Sequence, residues 1–297
     1  MDEENRLGFG GIALLLALAA ITVALFTRSS PVATETTLER VRRTGAIRIG
    51  YANEAPYGYL DNASGDVIGE APETAKAILR RMGVDRVEAV VTDFGSLIPA
   101  LKAGRFDIIA AGMYITPERC REIAFTNPTY AIGEAFIVRR GNPLDLHSFS
   151  SVAEHPAARL GFVGGTVEHD YAQHAGIPEE RIVIFPDNVS GLAAVRTGRV
   201  DAFAATTLTV IDLLQKASDD ELEQAEPFQD PIIDGRTARG YGAFGVRRGD
   251  ADLVEELNRQ LAGFLGTKEH LDLVRPFGFT EATLPGEVTA RELCAQR

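Results

Sequence analysis

The sequence predicts an α/β protein made of two similar lobes, each with a mostly parallel sheet flanked by helices. Three observations support this fold class. Short apolar runs alternate with helix-like stretches, as expected for parallel strands joined by helical crossovers. One segment near the middle of the chain recurs later in similar form. A second, shorter repeat indicates where the chain crosses between the lobes.

The predicted folded region begins with a helix that leads directly into a strand. LERVRRTG at 38–45 has helical spacing, and AIRIGYA at 46–52 is rich in β-branched residues. Further apolar runs indicate strands at 87–91, 106–112, 134–140, 159–165, 181–185, 200–205 and 242–248.

The longer repeat aligns LIPALKAGRFDIIAA at 97–111 with GLAAVRTGRVDAFAA at 191–205. Gly104, Arg105 and Asp107 correspond to Gly198, Arg199 and Asp201. Each copy is predicted as a helix, a glycine that ends the helix in the left-handed conformation, and a buried strand. The chain therefore contains two lobes of similar design.

The shorter repeat aligns EAFIVRRGN at 134–142 with GAFGVRRGD at 242–250. We interpret these as the two strands that cross between the lobes. Lobe 1 is then predicted to comprise 38–138 and 243–297, and lobe 2 to comprise 139–242. Ligands of open α/β sheets bind beyond the carboxyl ends of the strands, so residues that follow the strands should face a cleft between the lobes.

Composition excludes some classes of function. The 297 residues are 45% hydrophobic and carry a formal net charge of -12, so nucleic acid is not an expected partner. Without a Cys/His cluster, no metal or cofactor is expected. Cys120 and Cys294 leave a disulfide open as an alternative, but the favoured interpretation is one small buried thiol and one thiol in the tail.

The N-terminal region indicates export. Residues 8–26 carry no charged side chain and are flanked by Arg6 and Arg28. This length and composition fit a signal peptide or an uncleaved membrane anchor. Residues 1–37 are therefore predicted to be a signal or anchor with a linker, and the rest of the protein is expected to be extracytoplasmic.

The chain resembles the type II periplasmic binding proteins that serve polar amino-acid ABC importers. The resemblance is carried by IRIGYANEAPYGY at 47–59, DFGSLIPALKAGRFDIIAAGMYITPER at 93–119, GGTVE at 164–168 and VDAF at 200–203. It implies a monomeric two-lobed protein with two hinge crossings that closes on a small solute and delivers it to an ABC permease.

The resemblance also implies which residues bind the solute. In that family the arginine at the position of Arg119 holds a ligand carboxylate, because its planar guanidinium donates two parallel hydrogen bonds. Thr166 should add its backbone N–H and hydroxyl from lobe 2. Thr206 stands where amino-acid binders commonly carry a carboxylate for the ligand's α-ammonium group, so a standard α-amino acid would lack its counter-charge.

Four further positions distinguish the chain from ordinary amino-acid binders. Tyr57, Phe94 and Tyr114 are expected to place three aromatic rings around a delocalised cation. Glu54 is expected to accept hydrogen bonds from the N–H groups of that cation. With Arg119 these residues fit a cyclic amidine acid, and the combination resembles the ectoine- and hydroxyectoine-binding proteins.

Two alternatives stay open. One is a binder of a polar or cationic amino acid, in which Asp170, Asp187 or Asp212 replaces the acid missing at Thr206. The other is an exported dehydratase-type enzyme on the same fold, with Glu54 or Glu134 as the acid or base. We expect a binding protein rather than an enzyme, because no second catalytic partner is evident.

Overall fold

The computed structural model describes residues 35–218, 220–233 and 235–296. The apolar segment at 8–26, predicted to be a signal or anchor, lies outside these residues. Among the residues that are described, no helix combines the length and apolar composition needed to span a membrane.

Eleven α-helices are assigned within the described ranges: α1 Thr37–Thr44, α2 Glu70–Arg81, α3 Leu97–Lys102, α4 Pro117–Glu122, α5 Phe149–Glu154, α6 Glu168–His174, α7 Asn188–Arg196, α8 Thr207–Ala217, α9 Ala251–Ala262, α10 Lys268–Val274 and α11 Ala290–Cys294. The strands are β1 Ala46–Tyr51, β2 Tyr59–Leu60, β3 Val67–Ile68, β4 Arg86–Val91, β5 Ile108–Ile109, β6 Ala124–Phe125, β7 Tyr130–Ile132, β8 Glu134–Arg139, β9 Leu160–Val163, β10 Ile182–Phe185, β11 Ala202–Thr206, β12 Leu222–Gln224, β13 Ile232–Ile233, β14 Arg236–Thr237, β15 Gly240–Gly242 and β16 Gly245–Val246.

Two five-stranded sheets form the centres of the two lobes. The first has the order β4-β1-β5-β16-β6, and the second has the order β10-β9-β11-β8-β12. In each sheet the fourth strand runs antiparallel to its neighbours: β16 in the first sheet and β8 in the second. The other strands run in one direction, as the alternation of strands and helices predicted. The predicted two-lobed α/β architecture is confirmed.

The shorter sequence repeat corresponds to these two antiparallel strands. β8 lies in the second sheet from its first residue, Glu134, and β16 lies in the first sheet. Each is the point at which the chain, coming from one lobe, joins the sheet of the other. In both sheets this entering strand runs antiparallel to the strands that are linked by helical crossovers.

The glycines and aspartates of the longer repeat have the same structural roles in both lobes. Gly104 and Gly198 both have positive φ angles, 71° and 70°, as required for a glycine that ends a helix in the left-handed conformation. Asp107 accepts a hydrogen bond from the backbone N–H of Arg48 at 3.2 Å, and Asp201 accepts one from Arg159 at 2.9 Å. Each acid thereby ties two neighbouring strands together.

The antiparallel strands complete this pairing. Arg247, which follows β16, lies 3.2 Å from Asp107, and Arg139 at the end of β8 lies 3.5 Å from Asp201. The arginines of the shorter repeat therefore contact the aspartates of the longer repeat within each lobe. This contact explains why both motifs recur together.

Cys120 of α4 and Cys294 of α11 form a disulfide, with Cα atoms 5.7 Å apart. The favoured interpretation of two separate thiols was wrong. The C-terminal helix packs through Ala290 and Leu293 into the same apolar cluster as Ile115 and Ile123, which flank α4. That packing brings the two cysteines together although 174 positions separate them in sequence.

Candidate functional site

The carboxyl ends of both sheets meet at a cavity. The space open to the centres of water molecules is about 50 Å³. The predicted site residues share this location; all seven of them line the cavity: Glu54, Tyr57, Phe94, Tyr114, Arg119, Thr166 and Thr206. The rule that ligands bind beyond the carboxyl ends of parallel strands thus places the same residues together as the family resemblance did.

Arg119 is held by the start of a short helix. Thr116 is the N-cap of α4 and accepts the backbone N–H of Arg119 at 3.3 Å, while Pro117 occupies the first helical position. The guanidinium donates through Nη1 to the carbonyl of Tyr114 at 2.8 Å and through Nη2 to the carbonyl of Gly165 at 3.0 Å. A guanidinium has five N–H donors, so further donors are available for a ligand carboxylate.

The aromatic ring of Phe94 faces this guanidinium. The Arg119 Cζ atom lies 5.5 Å from the ring centroid, a cation–π distance. We expected Phe94 beside the cationic part of the ligand. In the structure its nearest cation is Arg119, so the ring supports the pole of the cavity that attracts anions.

Tyr57 and Tyr114 form the aromatic wall. Both are buried, and together with Tyr130 and Phe279 they belong to one apolar cluster. The ring centroids of Tyr57 and Tyr130 are 5.3 Å apart, and those of Tyr114 and Tyr130 are 6.3 Å apart. These two tyrosines therefore line the cavity and also contribute to the core.

Besides the bond from Arg119 to the Gly165 carbonyl, two further contacts join the lobes at the cavity. The Tyr57 hydroxyl donates to Thr206 Oγ1 at 2.7 Å. On the other side, Gly95 and Gly165 meet backbone to backbone: a Cβ atom on Gly165 would lie 2.6 Å from the Gly95 Cα. Gly165 also has a φ of 84°, which favours glycine. The lobes approach each other this closely because neither position carries a side chain.

Thr166 follows Gly165 at the edge of the second sheet. Its hydroxyl donates to the carbonyl of Val163 at 2.8 Å, which fixes the turn between β9 and α6. Thr206 is the N-cap of α8, and its side chain accepts the backbone N–H of Thr209 at 3.4 Å. Both threonines thus have local structural contacts in addition to their place in the cavity lining.

Glu54 is partly buried, and its carboxyl group has acidic neighbours. Burial, followed by the charges of Glu168 and Asp187, raises the pKa of Glu54 to about 8. At neutral pH this carboxyl group is therefore largely protonated, whereas we expected it to be an ionised acceptor. A cation placed beside it would favour its ionised form.

Sequence reasoning missed three polar residues of the cavity lining, Glu168, Asn188 and Thr209. Glu168 is the last residue of the GGTVE motif, in which only Thr166 was singled out. Asn188 begins α7, three residues after β10 ends, so the carboxyl-end rule could have found it. None of the acids considered as replacements at Thr206 is among the residues that line the cavity: Asp187 caps α7, Asp212 pairs with Lys216, and Asp170 is exposed.

Comparison with known proteins shows to which family the chain belongs. The model of the bacterial extracellular solute-binding proteins, family 3, matches residues 47–276. The chain belongs to this family. Family 3 binding proteins share the two-lobed type II periplasmic fold described above, and the protein is accordingly an extracytoplasmic solute-binding protein of an amino-acid-type ABC importer.

Individual relatives differ in the solute they are known for. A probable amino-acid ABC transporter periplasmic-binding protein, y4tE, of Sinorhizobium fredii is 38% identical to this binding protein over 94% of the chain and 93% of the relative. The ABC transporter arginine-binding protein 1 of Escherichia coli is 29% identical over 74% of this chain and 86% of its own. A crystal structure of EhuB in complex with hydroxyectoine superimposes with a TM-score of 0.80 at 35% identity, covering 88% of this chain and 98% of EhuB.

Proposed function

We propose that this binding protein captures ectoine or hydroxyectoine in the cavity between its lobes and delivers it to an ABC permease. The observation that carries the proposal is that a single cavity is lined by the Arg119 guanidinium, by the aromatic residues Tyr57 and Tyr114 and by the acid Glu54. A cyclic amidine acid has a carboxylate for the guanidinium and a delocalised cation for the aromatic and acidic side.

The similarity to EhuB supports this solute class, because EhuB was crystallised with hydroxyectoine and covers most of this chain. Closure would then place the solute between Arg119, whose guanidinium also contacts Gly165 of the second lobe, and the hydrogen-bonded pair of Tyr57 and Thr206. A ligand stabilises the closed form only through contacts that the open form lacks.

A second candidate is arginine or another cationic amino acid. It is favoured by the two acids in the cavity lining, Glu54 and Glu168, and by the similarity to arginine-binding proteins. A dehydratase-type reaction is not proposed, because Glu134, one of its candidate acid–base groups, is absent from the cavity lining and the relatives named above are binding proteins of ABC transporters.

Calorimetric titration of the full-length protein, kept in a mild detergent because of its apolar N-terminal segment, tests the proposal. Hydroxyectoine and ectoine should bind, and glycine betaine and glutamine should not. Arg119→Lys should weaken hydroxyectoine binding by roughly 10- to 100-fold, because an ammonium group cannot reproduce the bidentate bond. Arg121→Lys, on the same helix but exposed and paired with Glu118, is the matched control and should bind as the wild type does. Heat from arginine alone would assign the site to the second candidate.

A further inference from the structure

The two segments that cross between the lobes pair with each other. β7 comes just before β8, and β15 comes just before β16. β7 and β15 form an antiparallel pair, the crossing ribbon, in which Ile132 lies opposite Gly240 and Tyr130 lies opposite Gly242. Both glycines are buried. Because glycine weakens the interior of a strand, a glycine there often marks a place where another group approaches the backbone closely.

Tyrosine rings occupy the places where these two glycines would carry side chains. A Cβ atom on Gly240 would lie 1.8 Å from Cε2 of Tyr114, and one on Gly242 would lie 2.1 Å from Cζ of Tyr130. Packed carbon atoms lie about 3.5–4.0 Å apart, so neither ring could keep its position beside an alanine. Neither glycine adopts the left-handed conformation. The contact with the ring, and not the backbone angle, is therefore what requires glycine.

The position of the Tyr114 ring depends on packing and not on its hydroxyl group. The Tyr57 hydroxyl donates to Thr206, and the Tyr130 hydroxyl donates to the carbonyl of Gly112 at 2.7 Å. In contrast, the Tyr114 hydroxyl is buried with no hydrogen-bond partner among the described residues. Tyr114 is 5% exposed and lines the cavity. The surface on which its ring rests therefore sets the position of the ring relative to the cavity.

The backbone of Tyr114 connects the crossing ribbon with Arg119. Tyr114 forms an antiparallel bridge with Gly242, and its neighbour Ile115 donates its N–H to the carbonyl of Tyr241 at 2.9 Å. The Tyr114 carbonyl in turn accepts a hydrogen bond from Nη1 of Arg119 at 2.8 Å. One residue thus carries a ring that lines the cavity and also orients the guanidinium. The ribbon contacts that residue at both its backbone and its ring.

We propose that Gly240 is a positioning residue of the solute site: because it has no side chain, the Tyr114 ring rests on the crossing ribbon and gives the cavity the shape that admits the solute. A larger residue at this position would push the ring away from β15 and alter the cavity, although Gly240 itself is not among the residues that line it. This inference rests on the proposed function for the identity of the solute, but the contact between ring and glycine is a property of the protein alone.

Urea denaturation of the full-length protein tests that contact without any solute. Gly240→Ala should lower the urea midpoint. Gly249→Ala is the matched control and should not, because nothing lies within 4 Å of a Cβ atom at Gly249. Tyr114→Ala removes the ring, so adding Gly240→Ala to that variant should cause no further loss, and a Gly240→Ala protein that does not fold should be rescued by it. No loss in Gly240→Ala, equal losses with and without the ring, or a double variant that fails to fold where Tyr114→Ala folds would overturn the proposal.

Calorimetry with hydroxyectoine tests the positioning role. Gly240→Ala should weaken binding by roughly 10- to 100-fold, because the displaced ring no longer fits the solute, and Gly249→Ala should bind as the wild type does. A purely structural role would lower stability and leave the affinity of the folded protein unchanged, so wild-type affinity in folded Gly240→Ala would contradict the assignment. If hydroxyectoine gives no heat with the wild type, the proposed solute fails. The same comparison is then made with arginine, and the urea measurements still decide whether the Tyr114 ring rests on Gly240.

Discussion

Replacement of Gly165 by alanine should prevent full closure of the lobes. A Cβ atom at this position would lie 2.6 Å from the Gly95 Cα, closer than two carbon atoms can approach, so the lobes must separate locally by nearly 1 Å. That movement would break the bond from Arg119 to the Gly165 carbonyl at 3.0 Å and the bond from Tyr57 to Thr206 at 2.7 Å. One charged and one neutral hydrogen bond together contribute about 2–4 kcal/mol. Ligand affinity should therefore fall by roughly 30- to 1,000-fold.

Calorimetry with hydroxyectoine measures this loss, and small-angle X-ray scattering with ligand present shows whether the lobes stay apart. Gly176→Ala is the matched control. Gly176 lies in the same lobe and has a φ of 80°, but nothing lies within 4 Å of an added Cβ. The backbone strain is thus similar in the two variants, and only the contact between lobes differs. Equal affinities of Gly165→Ala and Gly176→Ala would refute the conclusion that the two glycines permit closure.

Three further predictions concern the disulfide, the contact between lobes and the buried acid of lobe 1. Joint replacement of Cys120 and Cys294 by serine should lower the free energy of unfolding by about 2–5 kcal/mol, because the disulfide links residues that are 174 positions apart in sequence. Urea denaturation measures this change, and a loss below about 1 kcal/mol would contradict a stabilising role for the disulfide. Tyr57→Phe and Thr206→Val should each weaken hydroxyectoine binding by about fivefold in calorimetry, because both remove the same 2.7 Å hydrogen bond. The double variant should therefore bind hydroxyectoine as tightly as either single variant. Losses of affinity that add in the double variant would exclude a shared bond. Burial raises the pKa of Glu70 from 4.5 to about 7, so the folded chain holds a proton that the unfolded chain releases, and this one group should lower the stability of the wild type by about 3 kcal/mol as the pH rises from 4.5 to 7. Glu70→Gln should lose less stability than the wild type between pH 5 and pH 8 in urea titrations, and an equal loss in the two proteins would contradict this prediction.

The sequence predicted those parts of the fold that depend on local patterns. Gly104 and Gly198 indicated two equivalent helix ends, and the structure shows that the aspartates following them make equivalent bonds in the two lobes. Such features can be predicted because the turn, the strand start and the acid lie within a few residues of each other. The carboxyl-end rule then placed the cavity residues on one edge.

The remaining features depend on packing between distant segments. The disulfide forms because the C-terminal helix packs beside α4, and no local pattern around Cys294 indicates that partner. The orientation of Phe94 toward Arg119 likewise follows from how several elements meet. The raised pKa of Glu54 also follows from its burial and from the charges of two acids of the second lobe, which no local pattern around Glu54 indicates.

Competition between hydroxyectoine and radiolabelled arginine for the full-length protein tests the central claim most directly. A cavity that pairs Arg119 with an aromatic and acidic wall for a small ring should bind hydroxyectoine even in excess arginine. Arginine that binds tightly and is not displaced by hydroxyectoine would contradict the proposed solute.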